Sequence, residues 1–145
     1  MEDKTTLFSQ KAASYLCCFN EHCPKYDNCL RFEVGTYINP DKLVCTCINP
    51  RYNKVDDNGC PYFRDNQPCR MPVGMTHFYH DMPQHTALAI KRELFSFSCR
   101  ATYYKYHRGD RPITPDFLAF IQDTCRRYHW TAPLQFDSEV EDYAW

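Results

Sequence analysis

The sequence predicts an α+β protein: a small, metal-stabilised, cysteine-rich N-terminal module with short strands, packed on a C-terminal region of three helices. Three observations carry that expectation. Seven of the ten cysteines lie between Cys18 and Cys69. Short alternating apolar segments sit among them, as half-buried strands require. After residue 84 the apolar residues recur at helical spacing, interrupted by caps and turns. A chain of 145 residues fills one domain or two very small ones. The division expected is 1–75 for the cysteine-rich module and 76–145 for the helices and acidic tail, either as two units or as one compact domain.

Hydrophobic residues make up 43% of the chain and aromatics 16%, enough for a core and against general disorder. The net charge of −1 creates no global field toward nucleic acid or membrane. Charge is uneven, however. Residues 91–128 hold eight Lys/Arg against four Asp/Glu, and 137–145 hold four acids and no base. Pairing of the two inside the molecule is the plain reading of that asymmetry. No apolar run approaches the length of a membrane span. The start MEDKTTLFSQKAASYL lacks a basic stretch followed by an apolar core, so no secretory signal is expected. The expected location is the cytoplasm, where clustered cysteines more often bind metal than form disulfides.

In chain order, residues 5–16 are expected as an amphipathic helix, with Phe8, Ala12 and Tyr15 recurring at its spacing. Residues 18–29 are irregular, because Pro24 and Asp27-Asn28 favour turns. Strands are expected at 32–38 and 43–48. In the second, Leu43, Cys45 and Cys47 share a face, which makes both cysteines more suited to the core than to ligation. A polar loop surrounds Asp56-Asp57-Asn58-Gly59. Residues 70–84 are expected to be irregular packing material, with Met71, Val73, Met75, Phe78, Tyr79 and Met82. A helix at 85–96 presents Ala87, Ile90, Leu94 and Phe97 on one face. Ser98 caps a second helix that Gly109 ends. Thr114-Pro115-Asp116 starts a third, striped by Phe117, Ile121, Cys125 and Tyr128. Cys99 and Cys125 are expected as packed thiols. The end, after Pro133, is extended, with Phe136, Tyr143 and Trp145 free to dock.

The chemistry of the first half lies in a loose internal repeat. CPKYDNCLR (23–31) and CPYFRDNQPCR (60–70) each run Cys-Pro, aromatic, Asp-Asn, then Cys and Arg. Structural zinc takes four thiolate or imidazole ligands, brought together in pairs by turns. The expected set is Cys18, Cys23, Cys29 and Cys60, with Cys69 in reserve, Cys17 as a substitute for Cys18 and His22 as a mixed ligand. An iron–sulfur cluster is the lesser alternative for the same cysteines, and reduced cysteines packed as small hydrophobes are the plain one. His77, His80 and His85 lack the helix and the H-E-x-x-H pattern of a second site, and are read as structural.

The segment FSFSCRATYYKYHRGDRPITPDFLAFI (95–121) resembles the recognition-helix region of compact repressor-type helix-turn-helix domains. The resemblance implies an exposed face of Arg100, Ala101, Thr102, Tyr104 and Lys105, with Tyr103 and Tyr106 turned inward. Arg100, Thr102, Tyr104, Lys105 and Arg108 are then the expected nucleic-acid contacts, reaching base edges or phosphates. The Phe95-Ser96-Phe97 run departs from the glycine such turns usually carry. An ordinary helical hairpin with a solvated basic face competes with this reading, and a tyrosine stacking platform for single strands is weaker. The Cys18/Cys23/Cys29 start, the Cys60-Pro-Tyr-Phe-Arg turn, YYKYHRG (103–109) and FDSEVEDYAW (136–145) together resemble an uncharacterised family of small cysteine-rich proteins from Bacteroidales-type bacteria. That resemblance implies a cytoplasmic bacterial protein and treats the four cysteines as a set, with no activity attached.

No phosphate loop or nucleophile elbow is present in the sequence. The expected function is therefore that of a zinc-stabilised, non-enzymatic nucleic-acid-binding protein, with DNA the leading partner. The alternative is a protein–protein adaptor with a structural zinc site. Neither a membrane nor a small-molecule substrate is indicated.

Overall fold

A computed structural model gives the fold of residues 3–52 and 59–145. The chain divides into two compact units, one running to Pro68 and taking in Trp145, the other spanning Cys69–Ala144. The described residues form five α-helices and one two-stranded sheet, a mixed α/β architecture. Among them no helix is long and apolar enough to cross a membrane.

In the first unit, α1 (Lys4–Ala12) buries Phe8 and Ala12, one turn apart. The Phe8 ring meets Tyr37 and Trp145 edge-on, at centroid distances of 5.4 and 5.6 Å. Helix α2 (Leu30–Gly35) buries Leu30, Arg31, Val34 and Gly35. The strand expected at 32–38 is thus corrected to the end of a helix and the turn after it. Val34, Thr36 and Ile38 favour strands, but burial at 30, 31, 34 and 35 follows the helical period, and packing decides.

The strand expected at 43–48 is corrected to an exposed arm. Leu43 is 97% exposed and Val44 73%. The arm's alternation finds no ladder; its pairing is the single parallel bridge Cys17↔Cys47. Cys45 and Cys47, expected in the core, are exposed for the same reason. Residues 56–58 of the expected polar loop lie outside the described residues.

In the second unit, β1 (Cys69–Val73) pairs antiparallel with β2 (Ser138–Asp142), Met71 opposite Val140. Part of the stretch read as irregular is therefore a strand. Pro72 obscures it in the sequence, yet a two-stranded ribbon tolerates proline on its open edges. The Pro72 carbonyl accepts the Ile113 N–H at 2.8 Å.

Helices α3 (Gln84–Phe97), α4 (Arg100–Arg108) and α5 (Pro115–Arg127) follow, with α3 against both α4 and α5. Their shared core holds Ile90, Leu94, Tyr103, Tyr106, Phe117 and Ile121, joined by Met75, Phe78 and Met82. The Tyr79 and Tyr103 hydroxyls hydrogen-bond at 2.7 Å, so neither buried phenol lacks a partner. Phe97 remains partly exposed while stacking on Phe117 at 4.8 Å.

The helix ends follow their signals. The Thr114 hydroxyl accepts the Phe117 N–H, and Pro115 takes the first helical position. Gly109 closes α4 at φ 82°, where a side chain would be strained. The α4 cap is Cys99, not Ser98, because Ser98 still ends α3. Cys99 is consequently exposed rather than packed, whereas Cys125 is buried.

Replacing Thr114 with Ala removes the cap and is expected to cost about 1 kcal/mol; Gly109→Ala is expected to cost about 1–2 kcal/mol through left-handed strain. Urea denaturation checks both: the midpoint falls while its slope is unchanged.

Candidate metal centre

The internal repeat folds into two matching turns. In Cys23-Pro24-Lys25-Tyr26 the Tyr26 N–H donates to the Cys23 carbonyl at 3.2 Å; in Cys60-Pro61-Tyr62-Phe63 the Phe63 N–H donates to the Cys60 carbonyl at 3.0 Å. Proline stands second in each, where its fixed φ suits the turn. The turns are stitched together just beyond. Leu30 N–H donates to the Arg64 carbonyl at 2.7 Å and Asn66 N–H to the Asn28 carbonyl at 3.1 Å. Between these bonds lies the antiparallel bridge Cys29↔Asp65.

Cys18 arrives on a third strand of chain. Its N–H donates to the Arg31 carbonyl at 3.0 Å, which fixes it beside α2. Close approach here depends on Gly35, since a Cβ there would stand 3.0 Å from the Cys18 carbonyl oxygen and 3.2 Å from the Phe19 ring.

These contacts set Cys18, Cys23, Cys29 and Cys60 around one cavity, whose wall also includes Arg31, Ile48 and Asn49. Burial pushes the Cys18 thiol up in pKa; the backbone N–H of Asn20 opposes it, and Cys29, Cys23 and Cys60 reinforce it. The three thiols that bear on Cys18 are therefore the other three of the cavity.

Among the described residues, two buried groups near these cysteines are incompletely matched: Arg31 has no carboxylate partner and the Tyr15 hydroxyl no hydrogen-bond partner. Arg31 is 9% exposed. Its guanidinium donates to the Tyr62 carbonyl at 2.6 Å and the Leu16 carbonyl at 3.0 Å, and lies over the Tyr15 ring at 4.8 Å. No carboxylate pairs with it among the described residues. The Tyr15 hydroxyl is buried without a hydrogen-bond partner among the described residues. Burial raises its pKa, Arg31 and Arg64 lower it, and Cys29 and Cys17 raise it. Cysteine thiolates would give the cation a counter-charge and the hydroxyl an acceptor, so the donor set fits a soft metal ion.

As they stand, no three or more His, Cys, Asp or Glu side chains among the described residues form a group that holds a metal ion. The cavity is a gathering of four thiols around a space, not a closed tetrahedron. Cys69, the reserve ligand, begins β1 in the other unit and does not line the cavity. His22 is exposed. Cys17 is buried and also absent from the cavity wall. Burial raises its pKa, as do Cys45 and Cys47, against the lowering effect of Arg31.

The chain matches the model of a family of unknown function, DUF6078, over residues 1–145. It belongs to that family. No curated protein matches it, and neither does any solved structure.

In this family member the residues expected to contact nucleic acid all lie on or at the end of α4. Arg100, Lys105 and Arg108 are exposed, and Thr102 and Tyr104 are half-buried. Tyr103 and Tyr106 are buried on the opposite side. The Arg100 guanidinium lies over the Phe95 and Tyr104 rings at 5.5 and 5.8 Å, and the Lys91 ammonium lies over Tyr104 at 5.4 Å. A bond from Arg100, followed by Lys91 and Arg100 charge, lowers the Tyr104 pKa. Arg108 pairs with Asp110 at 2.7 Å, which neutralises it. Sequence reasoning missed Arg31 and Tyr15. Arg31 had a signal, the arginine that ends each repeat; Tyr15 had none beyond its helical spacing.

Gly35→Ala is expected to force α2 away from Cys18, because the opposing atom is backbone and cannot rotate aside. The expected loss is about 1–3 kcal/mol. Thermal denaturation measures it, and faster alkylation of Cys18 relative to Cys23 would place the displacement at the cavity.

Proposed function

We propose that the first unit is a zinc module in which Cys18, Cys23, Cys29 and Cys60 hold one ion, and that the second unit binds duplex DNA through α4. The observation that carries the metal reading is four cysteines from three chain segments around one cavity, beside a buried arginine that no carboxylate among the described residues pairs with. Zinc with four thiolates carries two negative charges, and Arg31 offsets part of that charge inside the unit. Two matched Cys-Pro turns supply one ligand each, as paired turns do in structural zinc sites. A bacterial cytoplasm, which the family resemblance implies, keeps such thiols reduced. An iron–sulfur cluster on the same cysteines is the competing occupant.

Elemental analysis of protein purified without added metal tests the reading. One equivalent of zinc is expected, lost together with cooperative folding of the first unit in Cys60→Ser and retained in Cys69→Ser. Metal-free protein that unfolds with the same cooperativity would leave the cysteines as core packing, and iron with sulfide would replace zinc by a cluster.

The DNA reading rests on the exposed face of α4, where, among the described residues, Arg100 and Lys105 stay outside the ion pair that engages Arg108. The order of α3, α4 and α5 suits a helix-turn-helix in which α4 enters the major groove. Arg100→Ala and Lys105→Ala are each expected to weaken duplex binding and reduce its salt slope by about one. Absence of duplex binding at low salt would remove this half of the proposal. An adaptor role is the second reading, favoured by the exposed apolar Leu43-Val44 tip.

A further inference from the structure

The three cysteines outside the cavity in the first unit form a second thiol group. The parallel bridge makes Cys17 and Cys47 direct partners. Two backbone bonds hold it, Cys17 N–H to the Thr46 carbonyl at 3.2 Å and Ile48 N–H to the Cys17 carbonyl at 2.9 Å. Partners in a parallel bridge turn their side chains to the same face. Cys45, two residues from Cys47, returns to that face if the arm stays extended. Both arm thiols act electrostatically on Cys17, and all three cysteines are free. The arm is exposed from Asn39 to Cys47, so its thiols meet solvent while Cys17 stays buried.

We propose that Cys17 and the Cys45/Cys47 arm form a reversible thiol–disulfide site whose oxidising substrate is a peroxide. The solvent-facing arm thiolate attacks one oxygen of hydrogen peroxide. The O–O bond breaks, leaving a sulfenic acid and a hydroxide that takes up a proton. The Cys17 sulfur then attacks the sulfenic sulfur, the S–S bond forms, and the S–O bond breaks as water leaves with the Cys17 proton. Two thiols and one peroxide give one disulfide and two waters. A dithiol returns the pair to the reduced state by exchange through a mixed disulfide. Paired residues on neighbouring extended segments lie within the reach a disulfide needs.

The consequence is mechanical. Ile48 and Asn49, just beyond the arm cysteines, form part of the cavity wall. A covalent bond from Cys17 to the arm fixes that wall, which two hydrogen bonds hold in the reduced protein. The site stands independently of the zinc reading, because none of its three cysteines lines the cavity.

The test is peroxide treatment of the full chain, followed by alkylation, trypsin digestion and mass spectrometry, with metal content measured in parallel. A reversible cross-link between the peptides 12–25 and 43–51 is expected, removed by dithiothreitol and absent in Cys17→Ala. Metal content is expected to be unchanged by the oxidation. Should Cys17→Ala not fold, fragmentation of the wild-type cross-linked peptide assigns the bond to Cys17 or to Cys18. A cross-link through Cys18 or Cys23 overturns the proposal, as does oxidation of Cys99 without any cross-link. A protein without zinc that still forms the Cys17 bond would overturn the zinc module and leave this site intact.

Discussion

The first unit depends on one buried cation. Arg31 leaves α2 and holds the Leu16 carbonyl with one nitrogen and the Tyr62 carbonyl with another, while its plane covers Tyr15. Those contacts reach the segment before Cys18 and the turn after Cys60; the backbone of the same residue binds the Cys18 N–H. Cys29 lies two residues before it. A single side chain and its carbonyl therefore position three of the four cavity cysteines. Two neutral carbonyls solvate a guanidinium without cancelling its charge, and a buried charge without a counter-ion is costly. Among the described residues no carboxylate pairs with Arg31.

The core of this unit gives the same answer from another direction. Its large, fully buried side chains among the described residues are Phe8, Leu30 and Val34, whereas the second unit has Tyr103, Phe117, Met71, Met75, Ile90, Leu94, Ile113 and Ile121. Small units with thin cores usually need a cross-link, by metal or disulfide. The second unit needs none. Its helices close on an aromatic and aliphatic interior, and the Tyr79 hydroxyl partners that of Tyr103 in α4. Cysteines accumulate where apolar burial is scarce.

Legibility in the sequence divides along the same line. Helices α3 and α5 were readable because apolar period, proline and caps agree, as at Thr114-Pro115, and consistent local signals make a sequence readable. The arm at 43–48 was misread because alternation describes a strand only when a partner exists, and the partner here is one residue, Cys17. Strand β1 was hidden by Pro72, whose missing donor is harmless on a two-stranded ribbon. Three of the four cavity cysteines, Cys23, Cys29 and Cys60, were legible from the Cys-Pro repeat, since matched sequences make matched turns; Cys18 lies outside the repeat, and Cys69 inside it does not line the cavity. Tyr15 was not, because its role is set by a ring contact with Arg31 that no local pattern encodes.

The vicinal pair Cys17-Cys18 shows how the unit keeps two kinds of thiol apart. Cys18 lines the cavity and Cys17 does not; Cys17 hydrogen-bonds to the arm backbone, Cys18 to Arg31. Adjacent residues in an extended backbone project to opposite faces, so one peptide unit separates the thiol proposed to bind metal from the thiol proposed to form a disulfide. Oxidation follows thiolate character and exposure, so an exposed arm thiol is the one a peroxide reaches first. Gly35 makes this arrangement fit, because a side chain there would meet the Cys18 carbonyl and the Cys17 Cβ together. The placement of the two thiol groups thus rests on a backbone alternation and an absent side chain, not on the acidity of either cysteine.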